Sequence, residues 1–125
     1  MNNTSYGVSV EWNCGFNIIY NNSFYYNHGS NETYNSLHVQ AYDGNGTNLW
    51  DYNGRGNFWA DWTEPDENGD GIVDEPYVID GIVGVMDHFP LTEEVPIPEF
   101  GAMYSVVILL IIALAFGIYR KKNLT

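Results

Sequence analysis

Residues 7–27 read GVSVEWNCGFNIIYNNSFYYN, and how this stretch is parsed decides the fold. Apolar residues come in short bursts: Val8 and Val10, then Ile18 and Tyr20, then Phe24 and Tyr26. Asn13, Gly15, Asn17, Asn21, Asn22 and Asn27 punctuate them. Bursts this short cannot be helices of normal length and fit strands. Asn and Gly tolerate the left-handed backbone that sharp corners require. Short strands joined by Asn corners, returning at roughly 20–25 residues, describe a parallel β-helix. A sandwich or meander of short strands fits the periodicity equally well. In a stack, Asn side chains at equivalent corners can hydrogen-bond in ladders.

The charges divide the chain in the same direction. All 16 acidic residues lie within residues 1–100 with Arg55 as the only base, which leaves that body at −15, while Arg120, Lys121 and Lys122 close the chain. A body of that charge repels phosphate backbones, so nucleic acid is not an expected partner. A single cysteine, Cys14, excludes an internal disulfide framework and a thiolate zinc cluster. Aromatic residues make up 16 % of the chain, enough to bury a core, unlike a disordered acidic tail. The length allows one small domain at most.

Residues 102–119, AMYSVVILLIIALAFGIY, carry no charge and are followed at once by Arg120-Lys121-Lys122. At ~1.5 Å per residue the run reaches ~27 Å, close to a bilayer core of ~30 Å, so a transmembrane helix is expected there. The basic residues place the tail in the cytoplasm and the body outside. Asn-x-Ser/Thr sequons at Asn2, Asn3, Asn21, Asn31 and Asn45 all fall in the body and are candidate glycosylation sites. The N-terminus has neither a basic n-region nor an apolar h-region, so the sequence reads as the C-terminal fragment of a longer exported protein.

Residues 66–75, DENGDGIVDE, have the spacing of a calcium loop. Asp66, Asn68 and Asp70 take positions 1, 3 and 5, Gly71 the sharp turn, Ile72 the backbone carbonyl and Asp74 position 9. Tyr77 stands where an EF-hand has its bidentate Glu, so Glu75, Asp80 or water would complete the shell. Calcium is the expected cofactor, at an affinity of ~10⁻⁴–10⁻³ M. Trp50, Phe58, Trp59 and Trp62 cluster near this loop and read as a plug over the core. Asp43, Asp51, Asp61 and Glu64 offer an acid/base pair for glycoside cleavage.

Several segments are similar to a known family. Asn17–Asn27 resembles the repeat of NosD-like right-handed parallel β-helix proteins, and Ala41–Trp50 resembles their closing coil. Gly56-Asn-Phe-Trp-Ala-Asp-Trp62 resembles their GNYWSDY-type signature, and residues 66–74, 76–80 and 87–91 continue it in order. Pro98-Glu99-Phe100, the apolar run and the basic tail resemble the PEF-CTERM sorting signal of archaeal surface proteins. The resemblance implies an archaeal surface location, recognition by an archaeosortase and a possible lipid-anchored form. A copper role associated with the family name carries over poorly, because His28, His38, His88, Cys14 and Met86 form no clustered soft-ligand motif.

The expected fold is therefore mainly β: the C-terminal coils and cap of a right-handed parallel β-helix, followed by one transmembrane α-helix. Coils occupy 1–55, the aromatic and acidic cap 56–92, a Pro-rich linker 93–101, the membrane helix 102–119 and the basic tail 120–125. The expected function is that of a membrane-anchored, single-pass cell-surface module with a structural, adhesive or glycan-binding role. The alternatives are a fragment of a carbohydrate-active lyase or hydrolase, or a copper-related exported protein. Expected partners are the membrane, surface glycans, an archaeosortase, and upstream coils or a second copy covering the open first coil.

Overall fold

Of the Asn and Gly residues expected at corners over residues 7–27, Asn21 alone takes positive φ. A computed structural model describes residues 3–97 and 100–123, with side chains described over 3–97 and 108–122. Asn53 and His28 also take positive φ, and so do Phe16 and Tyr26, which lack the tolerance of Asn and His for it. Corners this frequent end each strand after two or three residues. Seven such strands follow in chain order: β1 Val8–Val10, β2 Ser23–Phe24, β3 Ala41–Asp43, β4 Phe58–Trp59, β5 Tyr77–Val78, β6 Asp80–Gly81 and β7 Met86–Asp87.

They form three separate sheets. In the first, β1 lies parallel to β3 (Val8 opposite Ala41), and β3 lies parallel to β6 (Tyr42 opposite Asp80). In the second, β2 lies parallel to β4, with Phe24 opposite Trp59. The third pairs β5 and β7 antiparallel, with Tyr77 opposite Asp87. The expected right-handed parallel β-helix is corrected by this arrangement. Its continuous sheets are replaced by short separate ones, and the closing pair runs antiparallel. The interrupting corners are the physical reason, since a ladder of two or three residues cannot run on into the next sheet.

Two units divide the chain, Met1–Val95 and Pro96–Thr125. The core of the first is an aromatic column. Phe24 stacks on Trp59 at 4.2 Å and Trp59 on Tyr77 at 4.1 Å, with interplanar angles of 10° and 6°. Trp50, Val39, Ala41, Ile79 and Val85 pack around it. Trp50 and Trp59 are core residues, whereas Trp62 is half-buried and donates its Nε1 to the Glu75 carbonyl at 3.0 Å.

The second unit contains helix α1, Phe100–Asn123. Among the described residues, no helix is long and apolar enough to cross a membrane. This finding corrects the expected transmembrane helix over 102–119, and with it the single-pass placement of an outside body and a cytoplasmic tail. Pro98, Glu99 and the Phe100 side chain, the expected sorting signal, lie outside the described residues, as does Asn2.

Candidate functional site

Three carboxylates sit inside the body: Asp43, Asp61 and Asp87. Burying a carboxylate is costly unless donors surround it, and each of these meets an amide and an aromatic donor. Asp43 accepts the Trp50 indole N–H at 3.0 Å and the Asn48 amide at 3.0 and 3.2 Å, along with the backbone N–H groups of Asn45 and Gly46. Asp87 accepts the Trp59 indole at 3.0 Å, the Asn57 amide at 3.2 Å and the backbone of Asn57 and Phe89. Asp61 accepts the Gln40 amide at 2.5 Å, and the Tyr77 hydroxyl lies at 3.4 Å from it.

The sequence repeats the device. Asn48-Leu49-Trp50 and Asn57-Phe58-Trp59 each aim an amide and, two residues on, an indole at one carboxylate. Residues two apart on an extended chain face the same side, which is why the spacing serves. Gly56 fits the arrangement for steric reasons: a methyl group there would overlap the Asp87 carboxylate.

Each buried amide also accepts from a more exposed Asn one layer away. Asn17 donates both its backbone N–H and its Nδ2 to Asn48 Oδ1 at 2.9 and 2.8 Å. Asn22 does the same to Asn57 Oδ1 at 3.1 and 3.0 Å. Asn27 does it to Gln40 Oε1 at 3.2 and 3.3 Å. The result is a threefold relay from outer Asn to buried amide to buried carboxylate.

The carboxylates differ in their proton affinity. Burial pushes Asp61 and Asp87 above the ordinary carboxylate range, and their donors offset this only in part. Burial acts the same way on Asp43, but the donors from Gly46, Trp50, Asn45 and Asn48 outweigh it and hold its pKa below that range. Asp43 and Asp61, expected as candidates for an acid/base pair, are both fully engaged in this network. Asp51 instead accepts from the His88 backbone and faces its Nδ1 at 2.9 Å, while Glu64 is exposed. Tyr6, whose hydroxyl donates to Asp80 at 2.6 Å, has its pKa pushed up to about 12 by that hydrogen bond, with burial adding to it.

The acidic loop is built differently. Asp66 accepts the backbone N–H groups of Gly69 at 2.7 Å, Asp70 at 3.2 Å and Gly71 at 3.0 Å. Asn68 accepts from Asp70, Asp70 from Ile72, and Asp74 from Glu67. Ile72 and Val73 tie the loop to Leu91 and Pro90. Asn68, Asp70, Asp74 and Glu75 remain exposed. Among the described residues, no group of three His, Cys, Asp or Glu side chains converges as a metal shell. The all-oxygen donor set suits a hard cation, but an ion would have to draw the carboxylates together.

Of the sequons, Asn3 and Asn45 have their side-chain amides engaged, donating to Asn27 Oδ1 and to the Trp12 carbonyl. Asn21 accepts from Arg55, and Asn31 caps the Thr33 backbone. His28 and His38 face backbone carbonyls through Nδ1, and Cys14 is exposed and free. Sequence reasoning did not single out Gln40, Asn48, Asn57 or Asp87 as members of one network. The repeated Asn-x-Trp is the signal that could have found two of them.

No family model, no curated protein and no solved structure matches this chain.

Proposed function

We propose that the body is a non-catalytic binding module that takes glycans on an exposed aromatic turn and is ordered by calcium at residues 66–75. The observation that carries the first part is the division of the aromatic residues. Trp50 and Trp59 are 1 % and 0 % exposed, whereas Trp12 and Phe16 are 77 % and 89 % exposed. Large aromatic faces left in water are a cost that a ligand can offset. The turn that carries Trp12 and Phe16 is fixed by polar contacts to their backbone. The Asn45 amide donates to the Trp12 carbonyl at 2.6 Å, and Thr47 Oγ1 accepts from the Phe16 backbone at 3.3 Å.

Calcium is supported by the donor chemistry of Asp66, Asn68, Asp70, the Ile72 carbonyl, Asp74 and Glu75. Five carboxylates within ten residues repel one another until a cation is present. The ion's part is charge neutralisation; the chain's part is a turn already folded by the Asp66 carboxylate.

The test is a glycan array probed with the full chain. Binding that falls at least tenfold in a Trp12→Ala/Phe16→Ala double variant supports the reading, and no bound glycan refutes it. Titration calorimetry with calcium, with Asp70→Ala as control, tests the loop separately. Absence of heat in both removes the ion from the proposal.

A further inference from the structure

The outer face of the β1–β3–β6 sheet carries an aromatic surface beside the Trp12 turn. Ala41 and Asp43 are fully buried, so Tyr42 between them faces outward. Ser9 and Asp80 are its partners in register on either side. The Tyr42 ring does not stand up from the sheet. A Cβ on Gly44 would come within 3.1 Å of its Cε1 and 3.2 Å of its hydroxyl oxygen, and one on Gly81 within 3.1 Å of its Cε2. The ring therefore lies down across two residues that have no side chain, with one face on the backbone and the other turned out. The same Cβ on Gly44 would sit 3.3 Å from the Trp12 backbone nitrogen. This platform thus adjoins the turn that carries Trp12 and Phe16.

Carboxylates flank the ring. Ser9 Oγ donates to Glu11 Oε1 at 3.3 Å, which keeps the Glu11 carboxylate on this outer face. Gly44 donates its N–H to the Val10 carbonyl, so the parallel register sets Glu11 beside Gly44, under the reach of the ring. On the far side, Tyr6 packs 5.5 Å from Tyr42 and donates its hydroxyl to Asp80 Oδ2 at 2.6 Å. Arg55, the one Lys or Arg within residues 1–100, is held by Asn21 instead. The negative face of a tyrosine ring between two carboxylates favours a cation.

We propose that Tyr42 is the floor of a second subsite of the glycan site at Trp12 and Phe16, and that this subsite takes an amino sugar with its amine protonated. The proposal rests on the glycan reading and adds to it a binding residue and a charge preference. The ammonium would lie against the open ring face between Glu11 and Asp80, while the neighbouring sugar of the same chain reaches Trp12. A neutral sugar stacks there without the charge attraction, and a uronic acid is repelled.

The test is titration of the full chain with a glucosamine tetramer, its N-acetylated counterpart of the same length, and an oligogalacturonate. The glucosamine tetramer should bind about tenfold more tightly than the N-acetylated one, and salt should shrink that preference. Tyr42→Leu should weaken binding of the glucosamine tetramer. Glu11→Gln, an isosteric change at an exposed residue, should reduce its advantage over the N-acetylated one. Equal binding of the two tetramers, tighter binding of the oligogalacturonate, or an undiminished preference in Glu11→Gln would overturn this inference and leave the glycan reading standing. Failure of every sugar to bind would overturn both.

Discussion

Asp43 and Asp66 each gather three or more N–H donors, yet they do opposite things. The donors to Asp66 all come from the next five residues, so they shape one turn and nothing else. Asp43 also takes its donors from the residues just ahead, Asn45, Gly46, Asn48 and Trp50, but Trp50 is a core residue and Asn48 is held by Asn17 from 31 positions away. Asp87 reaches Asn57 and Trp59 from 30 and 28 positions away. Removing a carboxylate whose donors are tied to nothing further loosens a loop, while removing one whose donors lie in the core or are held by distant segments opens that core. The same side chain is core scaffold in one place and the fold of a single turn in the other.

That contrast is most exposed to failure at Asp43. Asp43→Asn sets an amide N–H against several donors in a buried site that favours the charged form. It should cost about 3 kcal/mol in urea unfolding. Asp87→Asn, where burial already works against the charge, should cost less, about 1–2 kcal/mol. Equal losses would mean that the difference in proton affinity is not real.

Gly56→Ala comes next. Its methyl would meet the Asp87 carboxylate rather than a flexible surface chain, so about 2 kcal/mol of overpacking is expected. A circular-dichroism melt checks it.

The pH dependence has two opposed parts. Asp61 and Asp87 are raised when folded, so their contribution is present below the unfolded carboxylate pKa of ~3.9 and is lost as pH rises through the folded values. Asp43 is lowered, so its contribution is present above ~3.9 and is lost as pH falls through its folded value. From these three groups, stability should rise on mild acidification from neutrality and fall again at stronger acid. Urea midpoints from pH 3 to 7 check this, and Asp87→Asn should flatten the rise.

Much of this network was legible in residues and little of it in their partners. Of the corners expected at Asn13, Gly15, Asn17, Asn21, Asn22 and Asn27, only Asn21 takes positive φ, because a tolerance for that conformation does not say which residue of a loop adopts it. The turn at 66–71 was legible, since every donor to Asp66 lies within five residues. The separate sheets were not visible, because strand length depends on corners at Phe16 and Tyr26, residue types that signal no corner. Asp87 was invisible as a scaffold residue because its partners lie near Asn57, and sequence alone does not say that these segments meet. The sequence grouped Trp50 and Trp59 but not their partners: Trp59 stacks between Phe24 and Tyr77, residues far from it in sequence, and Trp50 packs beside that column.

In the loop the expected effects are small. Asp70→Ala should change stability by no more than about 0.5 kcal/mol without calcium, since Asp70 is exposed and accepts one local N–H. The variant should lose whatever calcium adds to the melting temperature. Smallest of all, Ser30→Ala should be neutral or slightly stabilising, within about 0.5 kcal/mol, because the buried Ser30 hydroxyl has no hydrogen-bond partner. A larger loss in either variant would blur the line between scaffold and surface.

The most direct measurement is hydrogen exchange at the four tryptophan indoles of the native protein, followed by NMR. The Trp50 and Trp59 N–H groups are held by Asp43 and Asp87 inside the core, whereas the Trp12 side chain is exposed. The two buried indoles should exchange only through global unfolding, with protection matching the unfolding free energy, while Trp12 exchanges fast. If Trp50 and Trp59 exchange as readily as Trp12, the buried carboxylates do not hold this fold together.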